Sequence, residues 1–102
     1  MQEIDVERLQ AVVDEGGQVV DVREPAEFAQ AHVPGARLVP MGQVMGRLEE
    51  LDQQQPLYLI CAVGSRSAHV GQVLEGHGYD VVNVAGGTLA WVRAGKPFDQ
   101  GL

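Results

Sequence analysis

Apolar positions along this chain fall into short continuous runs separated by longer helical stripes. Val19-Val20-Asp21-Val22, Leu57-Tyr58-Leu59-Ile60 and Val81-Val82-Asn83-Val84 are β-prone runs with almost no polar alternation, the pattern of strands buried on both faces. Gln2 to Ile4 reads as a short edge strand, and Leu38-Val39 as a brief extended segment after the turn Val33-Pro34-Gly35. Between the runs the period lengthens. Val6 to Asp14 predicts a helix capped by Asp5 and stopped at Gly16-Gly17, and Pro25 to Ala31 a short helix with proline at its first position. About Gly42 to Leu51 predicts a helix with Val44, Leu48 and Leu51 on one face. Another begins near Arg66 and runs to about His77, with Val70, Val73 and Leu74 inward and Gly78 as a left-handed cap. After a Gly86-Gly87 turn, Thr88 to Ala94 forms a last helix closed by Gly95 and Pro97. Strands alternating with helices imply an α/β fold of three layers, a mainly parallel central sheet with helices on both faces.

At 102 residues the chain is expected to be a single domain, 1–102. Hydrophobic residues make up 45%, yet no apolar run approaches the roughly 20 residues of a membrane span. Met1-Gln2-Glu3-Ile4-Asp5 is acidic and lacks a signal-peptide pattern, so a cytoplasmic location is expected. A net charge of −7, from 14 acidic residues against 7 Lys and Arg, argues against nucleic acid and anionic membrane as partners. No Cys/His set has metal-ligand spacing, and Gly86-Gly87 lacks the further glycine and lysine of a nucleotide loop. Neither a metal nor an organic cofactor is expected.

Chemistry concentrates at the one cysteine, Cys61, where the strand Leu57–Ile60 gives way to Ala62-Val63-Gly64-Ser65 and then to a helix. A strand-to-helix turn leaves backbone N–H groups without partners, and these converge with the positive end of the helix dipole. A thiolate placed there is stabilised, and Arg66 stands five residues on. The competing reading is a small buried hydrophobe at a strand end. A core thiol has no use, however, for a glycine, two serines and an arginine in the next six residues. Gly64 permits a backbone closed to other residues, Ser65 and Ser67 can donate or cap, and Arg66 can neutralise an anion or brace the loop through carbonyls.

Four motifs then add up to a resemblance: Asp21-Val22-Arg23-Glu24 with Glu27-Phe28; His32-Val33-Pro34-Gly35-Ala36; Cys61-Ala62-Val63-Gly64-Ser65-Arg66-Ser67; and Gly86-Gly87-Thr88-Leu89-Ala90-Trp91. In that order, over nearly the whole chain, they resemble a single-domain rhodanese-like sulfurtransferase. The resemblance implies that Cys61 accepts sulfane sulfur as a persulfide and passes it to a thiophilic acceptor. Ala62, Val63, Gly64, Ser65, Arg66 and Ser67 would cradle the outer sulfur, with Asp21 and Arg23 in support. The partners implied are a small-molecule or protein sulfur donor and a thiophilic acceptor. Cell-cycle dual-specificity phosphatases resemble the same fold, but their loop has five residues between Cys and Arg; here there are four. A non-catalytic rhodanese-type interaction module is a further alternative, and the retained cysteine weighs against it. Rhodaneses that use thiosulfate well often carry basic residues directly after the cysteine, where this chain has Ala62 and Val63. Efficient thiosulfate turnover is therefore not expected.

The other singled-out residues read as structural. Asp21 and Arg23 suggest a buried ion pair or brace, His32 a turn stabiliser, His69 a solvent-facing side chain, His77 a helix C-terminus and Trp91 a core anchor.

Overall fold

The apolar runs become neighbouring strands. The computed structural model describes residues 1–102, with strands β1 (Gln2–Ile4), β2 (Gln18–Asp21), β3 (Arg37–Leu38), β4 (Leu57–Ile60) and β5 (Val81–Val84). They form one sheet in the order β1-β5-β4-β2-β3, with every pairing parallel. Helices α1 (Val6–Asp14), α2 (Pro25–Gln30), α3 (Ser65–Glu75) and α4 (Gly87–Arg93) and a 3₁₀ helix (Met41–Glu50) complete the fold.

Alternation along the strands divides the core in two. Val20, Val22, Leu57, Leu59, Cys61 and Val81 pack with Val44 of the 3₁₀ helix, with Leu51 directly after it, and with Val70 and Leu74 of α3. Val19, Ile60, Val82 and Val84 pack on the opposite face with Leu9 of α1 and Trp91 of α4. Trp91 is fully buried and donates its indole N–H to the Pro97 carbonyl at 2.9 Å, which makes it the anchor its position suggested.

Local chemistry explains most boundaries. Asp5 caps α1 by accepting the Arg8 amide at 2.9 Å, and Glu24 with Glu27 forms a capping box ahead of Pro25. Three expectations are corrected. The segment after Pro40 is a 3₁₀ helix broken at Arg47 (φ −129°, ψ 27°); Gly42 and Gly46 each weaken an α-helical alternative. Helix α3 ends at Glu75, ahead of His77, and Gly78 takes its left-handed φ of 92° beyond the helix rather than as its immediate cap. Val73 is 41% exposed. The buried stripe of α3 runs through Ser67, Val70, Gly71 and Leu74, and at about 100° per residue Val73 falls outside it.

The topology marks a site. From β2 the chain moves outward to β3, whereas from β4 it moves the other way to β5. The carboxyl ends of the adjacent β2 and β4 are thus a topological switch point, where open parallel sheets bind ligands. Arg23 follows β2 there, and Cys61 follows β4.

Candidate active site

Cys61 continues the inward alternation of Leu57 and Leu59 and is 1% exposed. Directly after it the chain must turn sharply into α3, and Gly64 makes the turn with φ 107°, a conformation that costs a residue with a Cβ. The turn points the Gly64 amide at the thiol, N to Sγ 3.1 Å. One turn into α3, fully buried Ser67 places its hydroxyl 3.3 Å from Sγ. Burial pushes the Cys61 thiol up; the Ser67 hydroxyl and the amides of Ser67, Gly64 and Val63 outweigh it and leave the pKa below the ordinary cysteine value.

The far side of the loop is clamped by α4. Gly87, at φ 59°, lets the helix approach so closely that a Cβ there would stand 2.5 Å from the Cys61 and Ala62 carbonyl oxygens. The Thr88 and Leu89 amides donate to those same two carbonyls at 2.9 and 3.0 Å. The Gly-Gly motif therefore fixes the position of the cysteine.

Two arginines approach the loop, and both are engaged. Arg23 donates to both carboxylate oxygens of Asp21, 2.8 Å for the shortest contact, and to the Ala31 carbonyl at 2.7 Å. Asp21 and Arg23 are buried, so the brace suggested by the sequence is present as an ion pair. Arg66 forms a bidentate pair with Glu27, both bonds 2.8 Å, instead of bonding the loop carbonyls. Its hydrogen bonds hold Glu27 down at about pKa 2 against partial desolvation, with help from the Glu24 amide and the charge of Arg23.

The six loop residues thus have distinct placements. Val63, Gly64 and Ser67 direct groups at the sulfur, Ala62 lines an adjoining cavity, Ser65 is exposed as the first residue of α3, and Arg66 faces Glu27. Ser65 caps nothing, because Gly64 holds the N-cap position. His32 is buried, with Nδ1 2.8 Å from the Phe28 carbonyl and its ring stacked on Phe28 at 3.6 Å. His69 and His77 are exposed.

One site residue escaped the sequence. Asn83 of β5 is buried, accepts the Ser67 hydroxyl at 2.6 Å, and donates to Glu3 at 3.0 Å and to the Gly64 carbonyl at 3.2 Å. Its only sequence signal is a polar residue inside an otherwise apolar strand. No three His, Cys, Asp or Glu side chains are grouped to hold a metal ion, and no helix is long and apolar enough to cross a membrane.

Comparison with known proteins gives a consistent result. The family profile described as a rhodanese-like domain matches residues 5–94. A protein of Allochromatium vinosum named sulfurtransferase is 39% identical over 98 residues, covering 93% of this chain and 92% of its own. The crystal structure of a rhodanese-like domain protein from Staphylococcus aureus superposes with a TM-score of 0.88 at 35% identity, each chain covered over 100% of its length. A rhodanese-related protein from Thermoplasma volcanium gives a TM-score of 0.90 at 27% identity, covering 97% of this chain and 98% of its own.

Proposed function

The chain belongs to the rhodanese-like family, and from that premise we propose that it is a sulfurtransferase working through a persulfide on Cys61. The observation that carries the proposal is the environment of the thiol: a buried sulfur at a strand end, 3.1 Å from the Gly64 amide and 3.3 Å from the Ser67 hydroxyl. Such an environment favours the thiolate, the form that attacks sulfur, over the neutral thiol. A protonated persulfide donor, R–S–S–H, gives up its outer sulfur to Sγ. The new Sγ–S bond forms as the donor S–S bond breaks, the bonding pair leaves with the donor sulfur, and the proton ends on that sulfur as R–SH. Cys61 then carries –S–S⁻. An acceptor such as cyanide takes the outer sulfur as thiocyanate and restores the thiolate. No general base is needed, because no proton has to be removed from an already ionised nucleophile.

The outer sulfur is the atom for which the loop amides and the mouth of the loop are available. Four residues between Cys61 and Arg66, with Arg66 drawn away to Glu27, favour one sulfur atom over a tetrahedral phosphoryl group. The intact mass of the purified protein tests the reading. Incubation with a sulfane-sulfur donor adds one sulfur, and cyanide removes it as thiocyanate. Cys61→Ser should keep the fold and lose both steps; a serine variant that transfers sulfur at the parent rate overturns the mechanism.

A further inference from the structure

A chain of polar groups runs from the edge of the sheet to the sulfur. Glu3 on β1 and Asn83 on β5 are partners in register, and the Glu3 carboxylate accepts from Asn83 Nδ2 at 3.0 Å. The Gly64 carbonyl accepts from the same nitrogen at 3.2 Å. With Nδ2 held by two acceptors, Oδ1 is turned toward α3, where it stands 2.6 Å from the Ser67 hydroxyl. Ser67 has one proton to give, and Cys61 Sγ competes for it at 3.3 Å. Both Ser67 and Asn83 are buried, so bulk water does not serve whichever acceptor goes without. The Gly64 carbonyl, also 3.3 Å from the hydroxyl, offers that proton a partner already. Burial alone therefore does not account for a polar side chain between Val82 and Val84 on a strand buried along its whole length.

We propose that Asn83 is a positioning residue for the transfer step: it takes back the Ser67 proton when the Cys61 thiolate becomes a persulfide, and so favours the loaded state over the empty one. The inference rests on the sulfurtransferase reading and adds to it a residue that acts through Ser67. In the empty thiolate Sγ carries the charge and draws the Ser67 proton, which leaves Asn83 Oδ1 facing a hydroxyl lone pair at short range. That contact opposes the thiolate. On loading, an Sγ electron pair forms the bond to the incoming sulfur, the donor S–S bond breaks with its pair on the leaving sulfur, and the negative charge moves to the outer sulfur. Sγ is then neutral and divalent, a weak acceptor like a thioether. The hydroxyl turns back to Asn83 and regains its shorter bond, an exchange that needs the rotation of one O–H.

The test is Asn83→Leu in the full chain, which keeps the branch at Cγ and removes the acceptor. Asn83→Val, smaller and suited to a strand, takes its place if circular dichroism shows the leucine variant unfolded. Intact mass reads the persulfide fraction in a buffer of glutathione persulfide and glutathione at fixed ratio, at a pH above the Cys61 midpoint, and iodoacetamide alkylation against pH reads that midpoint. Loss of Oδ1 should lower the loading equilibrium constant about fivefold and speed alkylation on the acidic limb by a similar factor, the value of one hydrogen bond. A merely structural asparagine gives the opposite sign, because a misplaced Ser67 raises the midpoint. In a Ser67→Ala background the Asn83 substitution should change neither quantity, since it acts through that hydroxyl. Alkylation that is slower or unaltered, an unaltered loading equilibrium, or an effect that persists without Ser67 overturns the role of Asn83. A parent that gains no sulfur from the buffer, or whose added sulfur cyanide does not release as thiocyanate, overturns the sulfurtransferase reading beneath it, a separate outcome.

Discussion

Ser67→Ala is the perturbation that most directly tests how the thiolate is made. Ser67 has one hydroxyl proton and three acceptors in reach: Asn83 Oδ1 at 2.6 Å, Cys61 Sγ at 3.3 Å and the Gly64 carbonyl at 3.3 Å. Asn83 cannot flip to relieve this competition, because its Nδ2 faces Glu3 and the Gly64 carbonyl, both acceptors. With the thiol neutral, the proton belongs to Asn83. With the thiolate formed, it turns to sulfur, gaining a charge-assisted bond of about 1.5–3 kcal/mol and giving up a neutral one of about 0.5–1.5 kcal/mol. The difference is about 1 kcal/mol, or roughly fivefold in the thiolate population at a pH below the midpoint. Iodoacetamide alkylation against pH reads it: Ser67→Ala should react about fivefold more slowly on the acidic limb, with the midpoint moved upward. The variant also leaves Asn83 Oδ1 buried without its donor, a cost of about 1–3 kcal/mol, so its melting temperature should drop by at least about 4 °C, and rates should be taken well below it. A Ser67→Ala protein that alkylates as fast as the parent on the acidic limb refutes the reasoning.

Three further outcomes are expected. Ala62→Arg with Val63→Lys should lower the KM for thiosulfate, because Val63 is 55% exposed and the added charges meet a dianionic donor at the loop mouth; two exposed contacts of up to about 1 kcal/mol each give roughly tenfold in kcat/KM, narrowing as salt is raised, and no salt-sensitive gain counts against this account of donor choice. Glu27→Gln should lower stability at neutral pH by about 1 kcal/mol, the value left to a pair that is 33% and 37% exposed after solvent screening. Because the folded pKa of Glu27 is depressed from 4.5 to about 2, the parent's advantage is full above about pH 4.5 and fades as the pH falls toward 2; denaturant midpoints across that window check it, and a pH-independent gap contradicts it. Gly87→Ala should lose sulfur transfer and unfold at lower denaturant, since the new Cβ meets two loop carbonyls at 2.5 Å at a residue with φ 59°; a variant with parent activity shows that α4 does not hold the loop.

What could be read from the sequence was what sequence neighbours decide. Asp5 before Val6, Pro25 at a helix start and Gly64 between strand and helix each act over three or four residues, and each element stands where those signals put it. The strand runs were equally plain, because burial on both faces leaves no room for polar alternation. Partner choice across the chain was not legible. Arg66 meets Glu27 over a separation of 39 residues, and Ser67 meets Asn83 over 16. No local pattern says whether an arginine beside a cysteine faces the sulfur, a carbonyl or a distant carboxylate. The packing of α2 against the loop settles that. The 3₁₀ segment was missed for a different reason: its apolar spacing suits either helix, and two glycines tip a balance that periodicity does not measure.

The pairing of both arginines changes what kind of anion site the loop can be. An acidic chain that left Arg23 and Arg66 unopposed beside Cys61 would draw in any small anion, since an unshielded charge acts over about 10 Å at moderate salt. Here Asp21 and Glu27 cancel them, and what remains for the sulfur is a set of N–H and O–H dipoles on Val63, Gly64 and Ser67. Dipoles act strongly only at contact distance and along their own axes, so they favour one compact anion centred near Sγ over a larger one with its charge spread outward. The same charge passes from thiolate to persulfide and back without changing sign or size. A cradle of fixed dipoles therefore serves every state of the proposed cycle with little rearrangement, the condition under which electrostatic preorganisation is most effective. Selection among donors is then left to whatever grips the part of the molecule that does not react.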